Sequence, residues 1–219
     1  MKKLLLTSIL ASATTITFAQ SVNFGIKAGI NFSTERYAVS DPGLTMGSKT
    51  GFHVGVIADL SIQQFSIQPG LYFITKGGTD TYQGSYTNTP NSDFKQQSST
   101  KLNYLELPVN LLYHLKITPE LNVFFGAGPY LGYGLSGKFH TTYSGYMQGT
   151  VDYNLSFREN QLAGYKNPDF GANFMIGERL KHFTLDVNYS LGLVNVYNLG
   201  PQSKIEIRAL GVSAGYMFK

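Results

Sequence analysis

Val22-Asn23-Phe24-Gly25-Ile26-Lys27-Ala28-Gly29-Ile30-Asn31-Phe32-Ser33 decides the fold. Val22, Phe24, Ile26, Ala28, Ile30 and Phe32 share one face, and the residues between them share the other. Successive side chains of a β-strand point to opposite sides, so this run is a strand with an apolar face and a polar face. It is long enough to cross a bilayer at a tilt, which takes ~9–11 residues.

The same alternation recurs along the chain. Strands are expected at 22–34, 49–60, 64–76, 100–114, 121–136, 164–177, 183–193 and 205–218. The connections then run 35–48, 61–63, 77–99, 115–120, 137–163, 178–182 and 194–204, alternately long and short. A soluble barrel or sandwich has no reason to gather its long loops at one end. A barrel in the bacterial outer membrane does, because tight turns face the periplasm and larger loops face outside. The expected fold is all-β, an eight-stranded antiparallel up-and-down transmembrane β-barrel with both termini periplasmic. The alternative is a soluble eight-stranded barrel of the lipocalin type, with the apolar face inside. Periodicity cannot choose between them; loop asymmetry and the aromatic Phe218 near the C-terminus favour the membrane.

Four places depart from the pattern. Pro69 falls on the apolar face and cannot donate to a ladder, which predicts a bulge or an irregular pair. Ile57 in the second strand, and Phe124 and Tyr130 in the fifth, lie on the polar side. Ile205 and Ile207 have the opposite parity to Leu210, Val212, Ala214, Tyr216 and Phe218. Either a bulge falls near Ala209 or the upper part of that strand leaves the membrane.

The N-terminus reads as an export signal over 1–19. Lys2 and Lys3 precede a short, largely apolar stretch, and Thr17-Phe18-Ala19 places small residues where signal peptidase cuts, before Gln20. The barrel domain is then 20–219. Without Lys2 and Lys3, 15 basic residues face 13 acidic ones, too even a balance for a nucleic-acid partner. The absence of Cys excludes disulfides and thiolate metal sites. Fifteen Tyr, 15 Phe and 24 Gly suit strands with aromatic faces, and any interfacial girdle must be built without Trp.

Several runs resemble one family. They are the opening Val22–Ser33, Gln68-Pro69-Gly70-Leu71-Tyr72-Phe73, Leu102-Asn103-Tyr104-Leu105-Glu106-Leu107-Pro108-Val109, Gly126-Ala127-Gly128-Pro129-Tyr130, Tyr189-Ser190-Leu191-Gly192-Leu193 and Gly211-Val212-Ser213-Ala214-Gly215-Tyr216-Met217-Phe218. Together they resemble the PorT-like outer-membrane β-barrel proteins of Bacteroidetes-type bacteria, across nearly the whole exported chain. The resemblance implies a barrel related to the small OmpX-like type. It also implies folding by the barrel-assembly machinery, which recognises a C-terminal strand ending in an aromatic residue; here Phe218 is penultimate, before Lys219.

Two sets of candidate site residues follow. Lys27 and Glu106 lie on the inner faces of the first and fourth strands and are expected to pair, because an isolated buried charge costs several kcal/mol. With His53, Asn110, Asp186 and Asn188 they form a polar lumen network. It is either a fixed plug or a gate over a narrow passive channel, and the plug is favoured because eight strands leave little room inside. The second set lies in 77–99 and 137–163, where Tyr82, Tyr86, Phe94, Phe139, Tyr143, Tyr146 and Tyr153 sit among small polar residues. Tyr in such company suits recognition of an envelope protein, a host surface or a glycan. The plainer reading extends the strands as hairpins whose aromatics pack on one another.

Catalytic signals are poor. His140 beside Ser136 or Ser144 is the one His–Ser combination in an outer loop, the basis of a remote reading as a lipid-modifying barrel enzyme. No metal, cofactor or enzymatic activity is expected. The expected role is structural or surface-interacting, in adhesion, envelope assembly or secretion support, with outer-membrane lipid around the barrel.

Overall fold

The computed structural model describes residues 21–37, 43–86, 90–157, 164–197 and 204–218. The export signal expected over 1–19 and its cleavage point lie outside these residues. Among them are no helices and nine strands: β1 (Ser21–Tyr37), β2 (Leu44–Ile62), β3 (Phe65–Ser85), β4 (Asp93–Lys116), β5 (Leu121–Gly145), β6 (Gly149–Leu155), β7 (Asp169–Leu180), β8 (Phe183–Gly192) and β9 (Ile205–Met217). Eight close an antiparallel ring, each pairing with its sequence neighbours and β1 pairing with β9. The ninth, β6, hangs on the outer part of β5.

The apolar faces point outward, which excludes the lipocalin alternative. Phe24, Phe183, Leu111, Val56, Val54, Leu107 and Phe174 are exposed, Phe183 by 66%. A continuous apolar band of this size on a closed sheet meets hydrocarbon. Aromatic pairs mark its two borders: Phe65–Tyr113, Phe183–Tyr216 and Tyr216–Phe218 at the end with the short turns, and Phe52–Phe73 towards the other.

The short turns are tight. Ile62 pairs with Phe65 and Leu180 with Phe183, and the left-handed backbone that a two-residue hairpin needs is taken by Gln63 (φ 56°) and Lys181 (φ 55°). At the other end the strands outrun their expected bounds. β3, β4 and β5 continue as far as Ser85, back to Asp93 and on to Gly145, so most of 77–99 and part of 137–163 is ladder. The sequence hides this because above the apolar band both faces carry Ser, Thr, Gln and Lys, and alternation disappears. The sixth expected strand begins later, at Asp169, because 164–168 turns into the barrel mouth.

The irregularities resolve in different ways. At Pro69 the β2 and β3–β4 ladders skip residues without changing register, an irregular pair and not a bulge. The register does slip between Ser48 and His53, where β2 loses its hold on β3. Two β1 side chains take over the freed backbone groups: Asn31 Nδ2 donates to Thr75 O at 2.8 Å, and Ser33 Oγ accepts from Gly77 N at 2.8 Å. A second slip on β5 puts both Leu135 and Ser136 on the outside. β9 has no bulge near Ala209; it runs in continuous register with β1, and Ile205 and Ile207 are buried because the upper interior is apolar.

If the band faces hydrocarbon, Val187→Arg at its middle destabilises the barrel by about 2–4 kcal/mol in denaturant titration from lipid vesicles. The same measurement on Gln97→Arg, an outward position above the band, stays within about 0.5 kcal/mol of wild type.

Candidate functional site

The barrel interior has two layers. The one within the membrane is polar and ionic. Lys27, His53, Glu106, Asn110, Asp186 and Asn188 all reach it and together line one cavity of about 50 Å³. That is room for a few waters and nothing larger.

The expected Lys27–Glu106 pair does not form. Lys27 Nζ meets Asp186 Oδ2 at 2.6 Å, two strands round the ring from β1, on β8. Glu106 is held by Lys76, one strand away on β3, and Lys76 also lies 3.6 Å from Asp169 Oδ2. Pairing distance explains the change: β1 and β4 lie on different sides of the barrel, whereas Lys76 and Glu106 sit on adjacent strands. Lys76 further stacks 4.4 Å above the Tyr130 ring, whose hydroxyl donates to Asp169. Towards the short turns Arg179 pairs with Asp59, and Ser66 Oγ lies 2.8 Å from His114 Nε2.

His53, Asn188 and Asp186 form a chain. His53 Nε2 lies 2.8 Å from Ser213 Oγ, and Asn188 Nδ2 donates to Ser213 Oγ at 2.9 Å and to Asp186 Oδ1 at 3.4 Å. Asn110 stands apart: its buried Oδ1 has no protein hydrogen bond, nor has that of Asn173, and both residues line the small cavity. Gly55 and Gly70 make space for the Tyr72 ring beside it, since a Cβ at either would come within 2.6 Å of that ring.

The second layer, nearer the long loops, is an apolar plug absent from the sequence reading. Ile74, Leu102, Tyr104, Tyr165, Val196, Ile205 and Ile207 form its core. Tyr165 and Val196 come from connections that fold back into the mouth: Lys166 N donates to Val196 O at 2.8 Å, and Val196 N to Ile205 O at 3.0 Å. Asn167 clasps β5 beside its bulge, accepting from Gly134 N at 2.6 Å and donating to Gly134 O at 3.2 Å. Phe157 lies over Gly134 and packs on Tyr104 and Tyr165. The signal for the plug was the inward parity of Ile205 and Ile207.

One carboxylate is sealed into this plug. Glu35, above the apolar band on β1, accepts from the Tyr165 hydroxyl at 2.6 Å and from the Tyr37 hydroxyl at 3.5 Å. Burial pushes its pKa up to about 7, and nearby Asp80 adds to the push, while hydrogen bonds from Tyr165, Thr100 and Tyr37 oppose it.

The expected recognition residues divide. Tyr82, Phe94, Tyr86 and Tyr146 make one aromatic run at the tip of β3, β4 and β5, with ring centroids 6.0, 5.3 and 5.9 Å apart. Tyr153 stacks on Phe139 at 4.8 Å, and Tyr143 sits on β5 opposite Gly149. His140 is not joined to Ser136 or Ser144. Its Nδ1 lies 2.6 Å from Asp152 Oδ1 and its Nε2 3.3 Å from Thr142 Oγ1, on an open strand surface with the His and Asp side chains more than half exposed.

The outer membrane protein beta-barrel domain model matches residues 18–198. No curated protein matches the chain. Among solved structures, it is similar to Ail, the attachment invasion locus protein of Yersinia pestis, with 10% identity over 90% of this chain and 98% of that one and a TM-score of 0.40. It is similar to OprG of Pseudomonas aeruginosa, with 12% identity, 91% and 97% coverage and a TM-score of 0.45. It is also similar to the outer membrane protease OmpT of Escherichia coli, with 11% identity, 94% and 100% coverage and a TM-score of 0.43.

Lys76→Met strands Glu106 and Asp169 and lowers stability by about 3–5 kcal/mol in denaturant titration, and adding Glu106→Gln recovers part of the loss. The plug is pH-sensitive with a definite sign. Below about pH 4.5 Glu35 is protonated whether the plug is folded or not; between there and about 7 only the folded form keeps the proton, so stability falls as pH rises. The full loss above that window is about 3 kcal/mol. Hydrogen exchange at the amides of Lys166 and Val196, corrected for its intrinsic pH dependence, loses protection across this range, and Glu35→Gln flattens the response.

Proposed function

The chain belongs to the outer membrane protein beta-barrel domain family, and from that we propose that it is a surface-interaction protein whose filled barrel anchors a recognition sheet. The observation that carries this reading is the contrast between the two ends of β3, β4 and β5. Within the band their inner faces are consumed by ion pairs, and just above it by the plug. Beyond it they rise together into a sheet that ends in the Tyr82–Phe94–Tyr86–Tyr146 run, with Tyr86 and Tyr146 well exposed. Large, rigid aromatic side chains lose little entropy on binding and are strong anchors at interfaces.

In this reading the short turns and both termini face the periplasm and the tip faces outside. The partner is another envelope protein or a foreign surface, and adhesion, envelope assembly and secretion support are its possible settings. The C-terminal strand, ending in Tyr216, Met217 and Phe218, is what the barrel-assembly machinery engages. The Lys27–Asp186 and Lys76–Glu106 pairs and the plug above them weigh against the channel reading. The exposure of His140 and Asp152, both side chains more than half open to water, weighs against the enzyme reading.

The chain has no Cys, so single cysteines report orientation without background. On intact cells an impermeant maleimide labels Tyr146→Cys and leaves Lys181→Cys unlabelled; the reverse pattern would falsify the orientation. A photoreactive side chain at Ser144 then forms a partner adduct that Tyr86→Ser with Tyr146→Ser lowers by about tenfold or more. Equal adduct yield from that double variant removes the tip from recognition.

A further inference from the structure

Just above the apolar band, where β1 meets β9, the outer face carries a basic pocket of about 250 Å³ lined by Arg36, Tyr37, Lys204, Glu206 and Arg208. From this pocket we infer that the protein holds a membrane lipid by the phosphate of its headgroup, with the acyl chains on the apolar columns directly below. The leaflet concerned rests on the orientation proposed above; the site itself does not.

Position is the first support. Arg36 and Arg208 lie in the same outward columns as the band. Phe32 and Leu210 are ladder partners, 42% and 47% exposed, and Arg208 and Arg36 follow two and four residues further up their strands. At about 3.4 Å per residue that is about 7 and 14 Å along tilted strands. A tilt of about 45° makes those about 5 and 10 Å of height against a headgroup layer about 5–8 Å thick, so Arg208 stands in the layer and the long Arg36 side chain reaches back to it. A ligand that joins acyl chains to an anionic phosphate matches this vertical order. A soluble anion has no use for the apolar half.

Charge is the second support. Three cations surround one carboxylate. Glu206 holds Lys204 at 2.7 Å and lies 3.9 Å from Arg208, which leaves the group with a surplus of two positive charges. Arg36 has no ion-pair partner among the described residues. The Arg208 Nε is buried without a hydrogen-bond partner. A phosphate between Arg36 and Arg208 accepts from both guanidinium forks, the geometry in which Arg binds phosphate best.

The probe is phosphatidic acid, a phosphomonoester lipid, as a minority component of phosphatidylcholine nanodiscs that contain the full barrel. Native mass spectrometry after release reads the ratio of the two lipids retained. Wild type is enriched in phosphatidic acid, and enrichment falls about fivefold for each of Arg36→Gln and Arg208→Gln. Glu206→Gln raises it, because the site loses its one negative charge; a purely structural Glu206 would lower it. Lys116→Gln with Lys181→Gln, at the opposite end, leaves it unchanged. A heat-dependent gel shift equal to wild type certifies each variant as folded.

Unaltered enrichment in Arg36→Gln with Arg208→Gln overturns the site, as does an equal loss in the Lys116 and Lys181 control. Inorganic phosphate is titrated against the detergent-solubilised barrel; saturable binding there without lipid enrichment assigns the pocket to a free anion and overturns the lipid. Enrichment combined with periplasmic labelling of Tyr146→Cys keeps the site and rejects the orientation, so the two failures are distinct.

Discussion

The ladder between β1 and β9 is the constraint on which the rest depends. Hydrocarbon offers nothing to an unpaired backbone N–H or C=O, so a sheet that crosses a membrane must close on itself. Here Gly25 through Tyr37 pair without interruption with Met217 back to Ile205. Closure at eight strands fixes a narrow bore, and side chains alone fill it. Every inward charge is therefore deprived of bulk water and needs a partner within reach. Lys27 finds Asp186, Arg179 finds Asp59, and Lys76 is shared between Glu106 and Asp169. These ion pairs follow from ring size, and no channel function need be invoked to explain them.

Closure also decides where irregularity is allowed. Both register slips sit at the upper border of the band, between Ser48 and His53 on β2 and at Leu135 on β5. Within hydrocarbon a slip would expose backbone groups to lipid. At the border, interior side chains can satisfy them, as Asn31, Ser33 and Asn167 do. Beside these slips the plug fills the interior.

What the sequence made legible follows the same border. Within the band, alternation between lipid-facing and lumen-facing residues locates every ring strand and the residues of the lumen network. Partner choice is a different matter. Parity says that Lys27 and Glu106 point inward, but their separation round the ring depends on strand order and on which nearer counter-charge competes. Lys76 was hidden as the last residue of an expected strand, and Arg179 within an expected turn. Above the band, two polar faces give no period, so 77–99 read as loop although nearly all its described part is β-ladder. Ile205 and Ile207 carried the one clue to the plug, and alone they could not separate a bulge from an apolar upper interior.

The plug and the ionic layer differ in how they can respond to conditions. Each cation of the ionic layer faces a carboxylate. Glu35 has no such partner: the groups around it are the hydroxyls of Tyr165, Thr100 and Tyr37 and the carboxyl of Asp80. No cation pairs with it among the described residues, and the Tyr165 that contacts it belongs to a connection, not to the ring. Titration of Glu35 therefore acts on a contact between the ring and a connection packed inside it, outside the barrel's own ladders.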